Sequence, residues 1–203
     1  MTQTNLGIKI EGFVKIFDVT TGEVLVDQKN RIHYENFSEA LAYGVANKGH
    51  STVYEMHFGN GGTSIDPTGV ISYLPPNSTG QNADLYSPTY YKLIDDSSLL
   101  NLNKANNKIE VRHTPGTVYS DILISCLLDY GEPNDQAAFD NSQNLGGQYV
   151  FDELGLKSYV PGAPGTGKLL THLIFHPVQK SLNRLIQVDY TVRISSLTSI
   201  SVG

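Results

Sequence analysis

The chain has 203 residues, which is long enough for one large domain with a substantial hydrophobic core. It holds 14 Lys and Arg against 20 Asp and Glu, and the net charge of −6 argues against a nucleic-acid-binding protein, because such proteins carry basic stripes. The one cysteine, Cys126, excludes an internal disulfide framework and fits a reducing compartment. The sequence contains no apolar run of about 18 residues, so no membrane-spanning helix is predicted, and the first residues lack a signal-peptide pattern.

The N-terminal part of the chain predicts a β-hairpin. Residues 6–19 alternate apolar and polar side chains with the period of two that places one strand face on a core. Gly12 interrupts this alternation and indicates a bulge. A turn signal at 20–23 precedes a second apolar run at 24–26, so the two strands are expected to pair as neighbours.

One segment predicts a helix, and most of the remaining chain predicts strands. Residues 36–47 place their apolar side chains on one helical face, and Asn36 followed by Glu39 has the pattern of a capping box. Further strands are predicted at 52–58, 90–94, 108–113, 119–130, 169–175 and 185–195. The run 122–128 is apolar on both faces and predicts a central buried strand, whereas the polar residues 131–147 predict a loop.

Residues 59–88 form a long, turn-rich insertion with four prolines and one short strand candidate at 70–74. Loops of this length are usually functional or docked on a partner, and the alternative is a surface Ω-loop without one. Because ordering the loop costs entropy and a lone domain offers no evident reason to fix it, we expect it to be mobile in the monomer and ordered by neighbouring subunits. The interface residues predicted on this loop are Ile65, Val70, Ile71, Tyr73, Leu74, Leu85 and Tyr86.

Residues Gly162 to Lys168 have the glycine and lysine spacing of a phosphate-binding loop. The next position needs Ser or Thr to hold magnesium, but here it is Leu169. The residues that follow have the pattern of a strand, whereas the motif requires a helix. We therefore interpret the segment as a Gly- and Pro-rich loop between two strands, and we expect no bound nucleotide.

The remaining chemistry-bearing side chains predict no catalytic, cofactor or metal site. His172 and His176 are four residues apart, which on a strand separates their side chains by about 13 Å, too far for one metal ion. The acidic groups at 95–96, 129–135 and 152–153 match no calcium-loop spacing and are interpreted as solvated turn carboxylates. Cys126 lies within an apolar run and is expected in the core rather than as a nucleophile.

Several short motifs resemble virion proteins of tailed bacteriophages. The first runs from Lys29-Asn-Arg-Ile-His33 through the predicted helix to Tyr54-Glu-Met-His-Phe-Gly-Asn-Gly-Gly-Thr63, and it is similar to phage tail and fibre-attachment proteins. The second joins Phe151-Asp-Glu-Leu-Gly-Leu156 to Leu169-Leu-Thr-His-Leu-Ile-Phe-His-Pro-Val-Gln-Lys180 and the last strand, a progression similar to the virion-bound end of tail-fibre proteins. The opening residues 12–25 also look like phage structural hairpins. The lack of a fibrous shaft favours a compact subunit.

The residue patterns predict a mainly β fold, an antiparallel β-sandwich with one short α-helix and long loops, in a single domain over 1–203 with the insertion at about 59–88. The resemblance implies a homo-oligomeric tail, neck, collar or baseplate subunit without enzymatic activity, made in the host cytoplasm and built into the virion. Its expected partners are copies of itself and other virion proteins, with no nucleic acid, membrane or small-molecule substrate. The alternatives are a capsid decoration protein, a carbohydrate-binding host-recognition module and a hydrolase that uses the acidic loops.

Overall fold

The computed structural model describes residues 5–49, 52–134, 136 and 149–199. The described strands are β1 (Asn5–Asp18), β2 (Val24–Ile32), β3 (Val53–Gly59), β4 (Thr63–Ile65), β5 (Ile71–Tyr73), β6 (Pro88–Leu93), β7 (Lys108–His113), β8 (Tyr119–Leu128), β9 (Tyr149–Ser158), β10 (Leu169–Lys180) and β11 (Ile186–Ser199). One helix, α1 (Tyr34–Val45), lies between β2 and β3. No helix among these residues has the length and apolarity needed to cross a membrane.

Nine of the strands form one antiparallel sheet in the order β6-β3-β9-β10-β2-β1-β11-β8-β7, and β4 pairs with β5 in a separate hairpin. The long strands β1 and β11 pair over their whole length. Pairing is much shorter at the middle of the sheet, where β2 meets β10 only at two residue pairs. The sheet therefore bends at this junction into two halves.

The two halves of the sheet enclose one hydrophobic core. Val14, Val188 and Cys126 come from the half built on β1, β11 and β8, and they share a buried cluster with Met56 and Leu156 from the other half. The curled sheet closes at its outer strands, since Lys92 Nζ on β6 donates to the Leu127 carbonyl on β8 at 2.7 Å. The predicted mainly β, antiparallel sandwich with one short helix and long loops is confirmed.

Each predicted strand lies close to an observed one, but two observed strands have no counterpart in the predictions. These are the short β4 and the ten-residue β9, which is buried along almost all of its length. β9 escapes the period-two pattern because Asp152 and Glu153 follow one another between apolar residues. Of the predicted loop 131–147, residues 131–134 and 136 form no strand or helix, and the rest lies outside the described residues.

Gly12 does not mark a bulge, contrary to the prediction. It pairs in register with both Val192 and Asn30, and the irregularity between β1 and β2 falls later, between Ile16 and Phe17. A Cβ atom at Gly12 would lie only 1.7 Å from the Asn30 side-chain oxygen. Glycine is therefore required here because the neighbouring side chain crosses directly over the backbone.

The helix begins earlier than predicted, and its cap is a different residue. His33 is the N-cap, and its Nδ1 accepts a hydrogen bond from the Asn36 backbone N–H at 3.3 Å. Asn36 instead lies in the first turn, where its Nδ2 donates to the Leu169 carbonyl at 2.8 Å. Glu39 closes no capping box and pairs with Lys168 at 2.6 Å. Tertiary contacts therefore determine the cap, because Asn36 and Glu39 are bound to Leu169 and Lys168 and do not cap the helix.

Candidate functional site

A cluster of buried polar side chains lies beneath the 59–88 loop, on strands β9, β10 and β3. In a regular strand, the adjacent Asp152 and Glu153 would point to opposite faces of the sheet. The register between β9 and β10 shifts between Ile174 and Val178, directly opposite these residues. Both carboxylates accept hydrogen bonds from the backbone of the 59–88 loop at this point. We call Asp152 and Glu153 the carboxylate pair.

Glu153 holds both ends of the loop. Its Oε1 accepts hydrogen bonds from the backbone N–H groups of Gly61 at 3.0 Å and Ser87 at 2.8 Å. Its Oε2 accepts from the backbone N–H of Tyr86 at 2.9 Å and from His172 Nε2 at 3.0 Å. Burial works to raise the pKa of Glu153, but the hydrogen bonds from His172 and the three amides hold that pKa below its usual value. Glu153 is therefore a buried carboxylate whose charge is met by four donors.

Asp152 holds the start of the same loop. Its two oxygens accept the backbone N–H groups of Gly62 and Thr63, each at 2.9 Å, and Oδ2 also accepts the Thr63 hydroxyl. Burial raises the pKa of Asp152, and the neighbouring charge of Glu153 raises it further. Together the carboxylate pair accepts five backbone N–H groups, three from the first residues of the loop and two from its last.

His172 and His33 hold the middle of the loop in a defined protonation state. His172 Nδ1 accepts the Asn77 backbone N–H at 2.8 Å, so its proton is on Nε2, which donates to Glu153. His33 follows the same rule, since its Nδ1 accepts from the helix and its Nε2 donates to the Gly80 carbonyl at 2.9 Å. Both imidazoles are fully buried, and both hydrogen-bond patterns require the neutral ring.

Two further polar pairs involve buried side chains of the neighbouring strands β9 and β3. Lys157 is buried and binds Asp84 of the loop at 2.7 Å. Glu55 binds His57 at 2.8 Å, and both Glu55 oxygens accept the Gly165 backbone N–H. Burial lowers the pKa of His57 more strongly than the Glu55 hydrogen bond raises it, which favours a neutral ring here as well.

The buried polar side chains beneath the 59–88 loop hold that loop in place. Both acceptor oxygens of Asp152 and of Glu153 are occupied by donors from the protein itself. A general acid, general base or metal ligand needs at least one lone pair or proton directed at a substrate or ion. Among the described residues, no group of three or more His, Cys, Asp or Glu side chains is arranged to hold a metal ion.

The interpretation of residues 152–153 as solvated turn carboxylates is wrong, because both acids are buried in the strand β9. The reasoning that a lone domain has no cause to fix the 59–88 loop is also wrong. The carboxylate pair, His172, His33 and Lys157 supply that cause within one chain. Two adjacent acids inside an apolar run are the sequence signal that could have indicated a buried strand with hydrogen-bonded carboxylates.

The predicted interface residues take two different positions. Five of them are exposed on the surface of the anchored loop, with relative exposures from 40% to 64%: Ile65, Val70, Tyr73, Leu74 and Tyr86. We call these five the apolar platform. Ile71 is half-buried in β5. The prediction is wrong for Leu85, which is only 4% exposed. Leu85 therefore cannot contribute to a surface interface.

The Gly162–Lys168 segment is a connection between β9 and β10, as interpreted from the sequence, and Lys168 leads directly into the strand β10. The Gly165 amide points at Glu55, and the Lys168 ammonium pairs with Glu39. Gly167 meets a purely steric need, since a Cβ atom there would lie 1.8 Å from the Ser158 carbonyl oxygen. The groups that would bind phosphate in a nucleotide loop are bound to carboxylates here.

The two histidines four residues apart both lie on β10, as the strand pattern predicts. They have separate partners: His172 binds Glu153 in the interior, and the exposed His176 accepts or donates a hydrogen bond with the Tyr73 hydroxyl at 3.2 Å. Cys126 is fully buried in β8, in agreement with its predicted place in the core.

In comparisons with known proteins, the chain has no significant match to a family model, to a curated protein or to a solved structure.

Proposed function

We propose that this chain is a structural subunit of a tailed bacteriophage particle, a homo-oligomeric component of the tail, neck, collar or baseplate that acts through protein–protein interfaces. It is made in the host cytoplasm, and its partners are copies of itself and other virion proteins. The scattered motifs that resemble phage virion proteins support this role. The observation that carries it is the apolar platform, which is presented by a loop fixed to its own sheet.

Fixing that loop in one conformation has an energetic cost. The chain buries two carboxylates, two histidines and a lysine to hold a surface loop in one conformation. Such burial stabilises a fold poorly compared with apolar packing, so an ordered loop is the gain. The loop then exposes Ile65, Val70 and Tyr73 instead of covering them. Preordered apolar surface of this kind lowers the entropic cost of binding a partner.

The proposal is tested on particles. Mass spectrometry of purified tailed phages that encode this chain should detect it in a fixed ratio to the other virion proteins, and cryo-EM should place it in a symmetric ring. A variant with Val70→Ser and Leu74→Ser should fold as the wild type does but enter particles at least about tenfold less efficiently, since both apolar contacts are lost.

A control is Val45→Ser, which removes an even more exposed valine from α1, outside the platform. Absence of the chain from purified particles would contradict the proposal. Normal incorporation of the Val70→Ser/Leu74→Ser variant into particles would show that the apolar platform is not part of the interface.

A further inference from the structure

A second apolar surface lies between β6 and β7. In the connection 98–106, three leucines within four residues point into solvent: Leu99, Leu100 and Leu102 are 91%, 60% and 97% exposed. We call residues 98–106 the leucine loop. Isolated exposed apolar residues are common, but three within four residues of one short loop concentrate apolar surface in the way that marks an interaction site.

The leucine loop is held in place by buried asparagines. Asn101 is 4% exposed, and its Nδ2 donates to the Asp95 and Asn107 carbonyls, at 3.2 Å and 2.8 Å, while its Oδ1 accepts the Asn103 N–H. Asn107 is buried too, and its Oδ1 accepts the Leu127 N–H at 2.9 Å. With the polar residues turned inward and bonded, the leucines are presented outward in one conformation.

A cleft of about 740 Å³ lies where β2 and β10 separate. The two strands pair only at Ile32 with Thr171 and at Arg31 with His172, and beyond these pairs they diverge. Leu25, Pro177 and Val178 are among the apolar residues that line the cleft. Its volume leaves room for the side chains of the leucine loop, whose backbone is already fixed.

The leucine loop does not occupy the cleft of its own chain. Leu99, Leu100 and Leu102 are exposed, and none of them lines the cleft. Because the asparagines fix the loop in this conformation, a contact between the two surfaces joins different molecules.

The charges at the two surfaces are complementary. The leucine loop carries one charged residue, the exposed Lys104. At the cleft, Arg184 forms ion pairs with Asp18 at 2.5 Å and with Glu23 at 3.9 Å, and the Glu23 side chain is 67% exposed. The cleft thus offers an accessible carboxylate to an incoming ammonium group.

We propose that the leucine loop of one copy inserts into the β2–β10 cleft of a second copy, with Lys104 beside Glu23. This inference rests on the proposed structural role and specifies how the copies meet. Because the two surfaces differ, the contact is head-to-tail, and repeating it gives a ring when the rotation between subunits closes.

The test uses two variants of the whole chain, each with one surface disabled. The first carries Leu99→Ser, Leu100→Ser and Leu102→Ser, and the second carries His176→Lys and Gln179→Lys at exposed positions lining the cleft. Mass photometry should show oligomers for the wild type and monomers for each variant, with association weakened at least about 100-fold. A mixture of the two variants should form one-to-one dimers and nothing larger, because each keeps one working surface. Val45→Ser with Val111→Ser is the matched control, and it should assemble as the wild type does.

Unchanged assembly of either variant would overturn this inference and leave the proposed function standing, since assembly would then use another face. A monomeric wild type at about 100 μM, a concentration far above the dissociation constants of stable assemblies, would also overturn it. Monomeric variants that do not pair on mixing would show that the contact is not head-to-tail. Circular dichroism and thermal unfolding of both variants guard against misfolding, because all five substitutions are at exposed side chains.

Discussion

The Nε2 atom of His172 donates a hydrogen bond to Oε2 of Glu153 at 3.0 Å, and neither side chain reaches solvent. The two residues lie on adjacent strands, but their other partners all belong to the 59–88 loop: Gly61, Tyr86 and Ser87 for the acid and Asn77 for the imidazole. This pair therefore connects the sheet to the start, middle and end of the longest connection in the described chain.

Replacing Glu153 with Gln should destabilise the fold by about 3 kcal/mol. The NH2 group of Gln would stand where a carboxylate oxygen now accepts two hydrogen bonds, and the donors at that position would lose their acceptor. Urea unfolding would measure the loss. Hydrogen exchange should be slow at Gly61, Tyr86 and Ser87 in the isolated wild type and faster in the variant. Asp27→Asn, at an exposed acid on β2, is the control and should change stability by less than about 0.5 kcal/mol. Fast exchange at these amides in the wild type would contradict the anchoring role.

Stability should rise between pH 8 and pH 9 because of Lys180. Its side chain is buried and donates to the carbonyls of Asp129, Glu132 and Ser181, and burial lowers its pKa from 10.5 to about 8. Between these values the folded state has released the proton and the unfolded chain still binds it, so the free energy of unfolding increases with pH, by at most on the order of 3 kcal/mol over the whole window. Urea unfolding at several pH values would detect the rise. In Lys180→Met the slope should vanish, and equal slopes in both proteins would refute the assignment.

Cys126 should react slowly with a thiol reagent in the native protein. It is fully buried, and burial raises the pKa of its thiol from 9.0 to about 12, so little thiolate forms. The unfolded chain loses this proton from pH 9 upward while the folded state keeps it, which lowers stability above that pH. Labelling kinetics in buffer and in denaturant would compare the two states, and equal rates would count against burial. Cys126→Ser should cost about 1–3 kcal/mol through an unpaired hydroxyl.

Two glycines of the 162–168 connection should respond differently to alanine. At Gly167 a Cβ atom would lie 1.8 Å from the Ser158 carbonyl, so Gly167→Ala must move backbone and should cost about 3 kcal/mol or more. At Gly162 the surroundings are open and only the positive φ of 71° opposes a side chain, so Gly162→Ala should cost about 1–2 kcal/mol. Thermal unfolding of the two variants would show which one loses more stability. A larger loss for Gly162→Ala than for Gly167→Ala would contradict this packing.

The local sequence pattern determined most of the strands of this protein. The alternation in β1 and β11 and the double-sided apolar run in β8 are short-range signals, and each follows from which side chains can be buried on a pleated strand. The same signals placed Cys126 in the core. They require no knowledge of which strands become neighbours.

Only the tertiary structure decided the role of the polar residues. Glu153 binds amides that are 66 to 92 residues away, and His33 caps the helix because Asn36 is engaged by β10. Whether a carboxylate is solvated or buried depends on donors that the fold brings to it. The pairing irregularity opposite the carboxylate pair, where β10 advances four residues against two on β9, also depends on which strands become neighbours. Those distant partners and that irregularity leave no periodic trace along the chain, so the anchoring of the 59–88 loop emerges only once the sheet has formed.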